Sequence, residues 1–182
     1  GERTLSRNFL EGLICMNDPF DYQVLNLTPE FYCQYPNPPY TEILSKGTRP
    51  YNCLLIQSHF GYFLCIPFRS QISHKNAFFF RASKRSKKSQ SGLDYTKIII
   101  INDTKYISST DAVVDADEYA ELRLFIKKIK SDATEYVDNY IKQLSGRKIM
   151  SPEAFQRTYG YSSLQYFHKE LGLPVIKSKN FN

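Results

Sequence analysis

The spacing of apolar residues changes period once along the chain, and that change restricts the fold more than any motif does. As far as Asp111 the apolar residues come in short runs: "DYQVLNL", "RPYNCLLIQ", "YFLCIPF", "AFFFRA", "DYTKIIIIN" and "TKYISST". Runs of this length, rich in β-branched and aromatic residues and bounded by turn formers, predict strands. From Asp115 onward, "DADEYAELRLFIKKIKSDATEYVDNYIKQLSG" places Tyr119, Leu122, Ile126, Ile129, Ala133, Tyr136, Tyr140 and Leu144 at steps of three and four. That is the stripe of a long amphipathic helix, with a break expected near Ser131–Asp132. The links between strands are mostly too short for parallel crossovers, so the strands must pair antiparallel. Strands first and helices last predict an α+β fold, as one domain over 1–182, strand-rich over 20–110 and helical over 115–173.

Local signals refine this outline. Thr28 with Pro29 opens a short helical turn after the strand ending at Leu27. Leu5, Phe9, Leu10, Leu13 and Ile14 predict an amphipathic helix over Thr4–Met16. "PNPPY" must be loop, and Gly61 suits a hairpin connection. Asp115 followed by Glu118 predicts a capping pair, and Gly146 a stop. "SPEAFQRTYG" predicts a helix with Ser151 as cap, Pro152 first and Gly160 last, and "SSLQYFHKELG" another short one. The run Arg81–Gly92 has almost no apolar anchor and predicts a mobile loop.

At 182 residues, 42% of them hydrophobic and 15% aromatic, the chain can build a core without staples. Its formal net charge is +6. Between Arg69 and Lys97 lie eight Lys and Arg residues and a single acid, Asp94, so this one segment carries more than the whole chain's excess. Such a concentration suits a polyanionic partner, nucleic acid or a membrane surface; as a bare charge run it also suits a solvated loop. The sequence contains no run of transmembrane length and no secretory signal. Gly1, where an initiating Met is expected, reads as an added residue or a product of processing. The four cysteines, Cys15, Cys33, Cys53 and Cys65, form no C-x-x-C pair, and free thiols in a reducing cytoplasm are the simplest setting.

Several chemistries lack their residues. The histidines His59, His74 and His168 share no ligand spacing, and no metal or cofactor is expected. The acidic cluster Asp111, Asp115, Asp117, Glu118 and Glu121 falls at a helix start, where carboxylates offset the macrodipole. Phosphate-loop glycines are absent, and Ser70 with His74 lacks the glycines of a nucleophile elbow. "LDYTK" supplies Asp94 and Lys97 to a metal-dependent nuclease reading, without a second carboxylate in series. What remains is the bend after Pro67, which gathers Arg69, Ser70, His74 and Lys75. These are the residue types that metal-free RNA cleavage requires: cations and a hydroxyl on the phosphate, and a group that moves protons. A non-catalytic module would use the same cations to position RNA.

The blocks "RPY", "PFRS-x-I-x-HK-x-AF" and "GLDYTK", in that order over roughly residues 49–103, resemble the TenpN/CptN branch of the ToxN-like toxins of type III toxin–antitoxin systems. The resemblance implies a metal-independent, sequence-selective endoribonuclease on a compact, strongly twisted antiparallel sheet with flanking helices, related to MazF/Kid-type toxins. It implies a structured RNA antitoxin, a pseudoknot that the enzyme cuts from a repeat transcript and that blocks it within a protein–RNA hetero-oligomer. It also implies cellular and phage transcripts as targets, cleaved to 2′,3′-cyclic phosphate ends. By position it assigns Ser70, with Arg69 before it, to the phosphate; Lys75 is the nearest lysine, and with His74 beside it is taken for charge stabilisation or proton transfer, while the family's early aromatic falls on Tyr32 or Phe31, of which Tyr32 keeps a hydroxyl. The lysine that follows the serine by two residues in the family's type member is replaced by Ile72. Arg49, Arg81, Lys84, Arg85, Lys87, Lys88, Tyr95 and Lys97 become the RNA-contacting candidates.

Overall fold

Seven strands form one antiparallel sheet in the computed structural model, which describes residues 22–45, 51–58 and 60–175. The expected helix over Thr4–Met16 lies outside the described residues. The strands are β1 (Tyr22–Leu27), β2 (Asn52–Gln57), β3 (Phe63–Arg69), β4 (Ala77–Phe79), β5 (Gly92–Asp94), β6 (Ile99–Ile101) and β7 (Ile107–Asp111). Their order is β4-β5-β3-β2-β1-β7, and β6 also pairs with β3. The period change thus yields the predicted α+β architecture, with the helical part at the C-terminal end.

β3 is the organising strand. One edge pairs with β2 over Phe63–Pro67, from Gln57↔Phe63 to Cys53↔Pro67. The other edge is shared: Phe63–Cys65 pair with β6, while Phe68 and Arg69 pair with Leu93 and Gly92 of β5. The partner changes around Pro67, which has no N–H to give to a ladder. Leu54, Leu55, Ile56, Leu64, Cys65 and Ile66 are all buried, as continuous apolar runs require of strands covered on both faces. "DYTKIIIIN" is not one strand. Asp94 accepts a hydrogen bond from the Thr96 amide, and this closes a 3₁₀ turn over Tyr95–Lys97 before β6 begins. Local side-chain capping overrides β propensity there.

Helix α1 (Pro29–Gln34) follows β1, with Thr28 in the extended conformation of a cap. The run Arg81–Gly92 is not a loop: it contains helix α2 (Lys84–Ser89), capped by Ser83, whose side chain accepts from the Ser86 amide. Helix α3 (Ala116–Lys142) runs 27 residues without the expected break at Ser131–Asp132. Leu122, Ile126, Ile129, Ala133, Tyr136 and Tyr140 of the predicted stripe are buried, whereas Tyr119 and Leu144 at its ends are exposed. A wide turn with Gly146 at φ 87° ends the helix. Helix α4 (Pro152–Tyr159) starts at Ser151, whose hydroxyl accepts from the Ala154 amide. "SSLQYFHKELG" forms only a 3₁₀ turn, Ser163–Tyr166. Beyond it, His168 accepts from the Tyr140 hydroxyl at Nε2 and donates from Nδ1 to the Pro174 carbonyl, which fixes the last described segment to α3.

Gly92 is required by close packing. A Cβ there would lie 2.2 Å from the Phe78 carbonyl oxygen of the neighbouring β4. We expect Gly92→Ala to destabilise the protein by about 1–3 kcal/mol, because the obstacle is backbone and cannot rotate away. Thermal unfolding of the two proteins measures this, and an unchanged Tm contradicts it.

Candidate active site

The sequence places one acid among eight cations, and the structure shows what that acid does. Asp94 ends β5 with its carboxylate fully buried. Oδ2 accepts from Arg69 Nη1 at 2.8 Å. Oδ1 accepts from the Thr96 hydroxyl at 2.6 Å and the Thr96 amide at 3.0 Å, and lies 3.2 Å from His74 Nε2. Burial pushes the Asp94 carboxyl up, but hydrogen bonds from His74, Thr96 and Arg69 outweigh it and hold it below the ordinary aspartate value. An ionised carboxylate only accepts, so His74 Nε2 must carry a proton. His74 Nδ1 is buried and has no hydrogen-bond partner.

The backbone fixes this bend at both ends. Arg69 stands at the end of β3, beside Gly92. The chain then turns through Gln71 in the left-handed region, φ 57°. The amides of Gln71 and Ile72 donate to the carbonyls of Ser89 and Gln90 at the end of α2. The Tyr95 amide donates to the Asn76 carbonyl. Arg69 and His74 remain about one-third exposed, at 33% and 31%, while Ser70 and Lys75 are exposed. A cavity of about 450 Å³ opens beside them, lined by Ser73, His74, Lys75, Arg81, Lys87 and Gln90 among others.

Helix α2 is anchored electrostatically. Glu121 of α3 accepts from the Arg81 and Ala82 amides at 2.8–2.9 Å. Buried Glu118 accepts from the Ser86 and Ser91 hydroxyls and from Arg85. These two glutamates therefore do more than offset a helix dipole: they hold the basic segment to α3. Glu118 does not reach back as the predicted capping partner. Asp115 alone caps, accepting from the Asp117 and Glu118 amides.

The candidates separate into groups. Arg69 and His74 converge on Asp94, and Ser70 and Lys75 flank them in the same bend. Arg81, Lys84, Lys87 and Lys88 present exposed cations. Arg85 is neutralised by Asp115 and Glu118, at 3.2 and 3.1 Å. Lys97 is buried, paired with Glu42 and donating to the Tyr161 carbonyl, so its charge is spent inside the protein and not on a surface ligand. Tyr95 is also buried, at 5% exposure. Tyr32 is half-buried; burial, and then Cys53, push its hydroxyl well above the ordinary tyrosine value, and it bonds to the Tyr51 backbone. No hydrogen bond joins it to the Asp94 cluster. Arg49 and His59 lie outside the described residues.

Asp94 is the residue whose part sequence reasoning missed, having weighed it only as a metal ligand. Its isolation among cations was the available signal. Both of its oxygens accept from protein donors, and Lys97 pairs with Glu42 and the Tyr161 carbonyl, apart from Asp94. Among the described residues no group of three His, Cys, Asp or Glu is placed to hold a metal ion, and no helix is long and apolar enough to cross a membrane. Comparison with protein-family models, curated proteins and solved structures finds no match to this chain.

Proposed function

We propose that this protein is a ToxN-like endoribonuclease that needs no metal ion and is held in check by a structured RNA. The observation that carries the reading is the Asp94 clamp: one buried carboxylate fixes Arg69 and His74 in a single bend, and His74 and Lys75 of that bend line a cationic cleft. Arg69 uses one guanidinium nitrogen on Asp94, leaving other N–H donors for a phosphate oxygen. Ser70 and Lys75 add a hydroxyl and a second cation from the same bend. In the reaction the 2′-hydroxyl passes its proton to solvent water and attacks the adjacent phosphorus. The bond to the 5′ oxygen breaks, and that oxygen takes up a proton. The products are a 2′,3′-cyclic phosphate and a 5′-hydroxyl. Arg81, Lys84, Lys87 and Lys88 extend the cationic surface along the RNA backbone, for cellular transcripts and for the inhibitory RNA alike.

A specific observation favours a second reading, a binding module without catalysis. His74 Nδ1 is buried and Nε2 lies against Asp94, and burial raises the pKa of the Tyr32 hydroxyl, which leaves Lys75 as the exposed side chain among the three named for proton transfer.

Incubating the purified protein with single-stranded RNA of mixed sequence, in EDTA, and mapping the ends separates the two. We expect cleavage with cyclic phosphate termini. Binding without cleavage supports the module, and activity that returns only with magnesium overturns the metal-free mechanism. Replacing Lys84, Lys87 and Lys88 together by Gln should lower the salt dependence of binding by about 2 logarithmic units per decade, at ~0.7 per single-strand phosphate contact. An unchanged slope removes α2 from the interface.

A further inference from the structure

A second cavity, of about 580 Å³, adjoins the cationic one and shares Lys75, Phe79 and Arg81 with it. It lies between β4, the 3₁₀ turn after Asp94, α3 and α4. Its walls include Phe78, Phe125, Tyr136 and Tyr159, and its polar groups include Tyr95, Asp132, Glu135 and Asn139. Phe78 and Phe125 face each other at 5.6 Å between ring centroids. Its lining mixes aromatic rings with polar and charged groups in near-equal measure, which suits a ligand with a flat ring and a polar edge.

One of those polar groups lacks a partner. Tyr95 is 5% exposed, and its hydroxyl is buried with no hydrogen bond. Leaving a buried hydroxyl unpaired costs roughly 1–3 kcal/mol, so such a group needs a reason. Asp132 is close enough for its charge to act on that hydroxyl, although burial is the larger influence; both raise its pKa and keep it protonated. Asp132 itself receives a bond from Lys128 at 2.7 Å and stays 34% exposed on its other side.

We infer that this cavity binds one nucleobase of the RNA, a base whose edge carries an exocyclic amine, beside the phosphate held at the Arg69–Lys75 bend. The inference rests on the reading above, since Lys75 and Arg81 at the shared boundary would hold the phosphate of the same nucleotide. Carboxylates accept the amine hydrogens, and the Tyr95 hydroxyl donates to the ring nitrogen or oxygen next to them. The aromatic walls supply stacking, which is how proteins hold splayed-out bases. Adenine, cytosine and guanine offer an amine edge; uracil does not.

NMR titration of the full chain with 3′-AMP, 3′-CMP, 3′-GMP, 3′-UMP and inorganic phosphate tests this. The amine-bearing nucleotides should bind at least several-fold more tightly than 3′-UMP and phosphate. Tyr95→Phe should abolish most of that preference, one hydrogen bond being worth up to about tenfold, while leaving Tm unchanged or higher because the hydroxyl is unpaired without ligand. Asp132→Asn, at a partly exposed position that tolerates the change, should shift the preference toward uracil. Equal binding of all four nucleotides, a preference untouched by Tyr95→Phe, or a Tm lowered by that substitution each overturns the inference. The two proposals fail separately: RNA cleavage without nucleotide preference sinks only the base site, and nucleotide preference without cleavage sinks only the nuclease.

Discussion

Asp94→Asn is expected to release Arg69 from the bend and to cost about 2–3 kcal/mol of stability at neutral pH. Every group around this carboxylate is a donor: Arg69 at one oxygen, Thr96 and His74 at the other. An asparagine has one acceptor and one donor. Its oxygen would stay with Thr96, where two donors meet it, so its NH₂ would face the Arg69 guanidinium with nothing to receive its hydrogens. The cost is that of an unsatisfied buried group plus a cation without its counter-charge, moderated because Arg69 is partly exposed and can reach water. Cleavage should fall at least 10²-fold, roughly the effect of misplacing a positioning group by an ångström. The pH dependence checks the cause. The Asp94 carboxyl sits below its unfolded value of 3.8 in the folded protein, so its stabilisation is complete at neutral pH and is lost as pH falls through the folded value. The gap in stability between wild type and Asp94→Asn should therefore be widest near pH 7 and shrink below pH 4. A gap that stays constant from pH 7 to strongly acid conditions rules out the charge as its source.

The strand-and-helix outline was legible because burial writes periodicity into the sequence. "NCLLIQ" and "FLCIP" are continuous apolar runs, and they became strands buried on both faces. Leu122, Ile126, Ile129 and Ala133 are spaced for a helix and became its inner face. The errors have a different physical origin. Arg81–Gly92 has almost no apolar anchor, and what orders it is Glu118 and Glu121, 32 and 40 residues from Ser86 and Arg81 in sequence. Those glutamates look like ordinary acids near a helix start, since nothing local distinguishes an acid that solvates a helix start from one that captures another segment's amides. Ile98–Ile101 pulled the strand assignment back through Tyr95, yet the Asp94 side chain captures the Thr96 amide and starts a turn. The bend at Arg69–Lys75 was found from residue types alone. Its wiring was not, because a buried acid that neutralises distant cations has no spacing rule in sequence.

Lys75→Ala should abolish cleavage, by about 10²–10³-fold or more, without altering the fold. Lys75 is exposed, and exposed substitutions away from caps and strained backbone usually move stability by no more than about 0.5 kcal/mol. The informative comparison is Lys75→Arg. His74 has committed Nε2 to Asp94, and its Nδ1 is enclosed. The Tyr32 hydroxyl is held above its ordinary value by burial and lies against the Tyr51 backbone. Among the described residues named for proton transfer, Lys75 is therefore the one whose titratable atom faces solvent. If its ammonium protonates the departing 5′ oxygen, arginine cannot replace it, because a guanidinium does not give up its proton in a protein. Lys75→Arg should then bind RNA as wild type does and cleave nearly as poorly as Lys75→Ala. If Lys75 supplies charge alone, arginine should restore cleavage to within about tenfold, since both side chains place one positive charge near the phosphate. Single-turnover cleavage measured beside RNA affinity, for all three proteins, decides between proton and charge. Full activity in Lys75→Ala would remove Lys75 from the mechanism, and absence of cleavage in the wild type as well would leave the binding module as the better description.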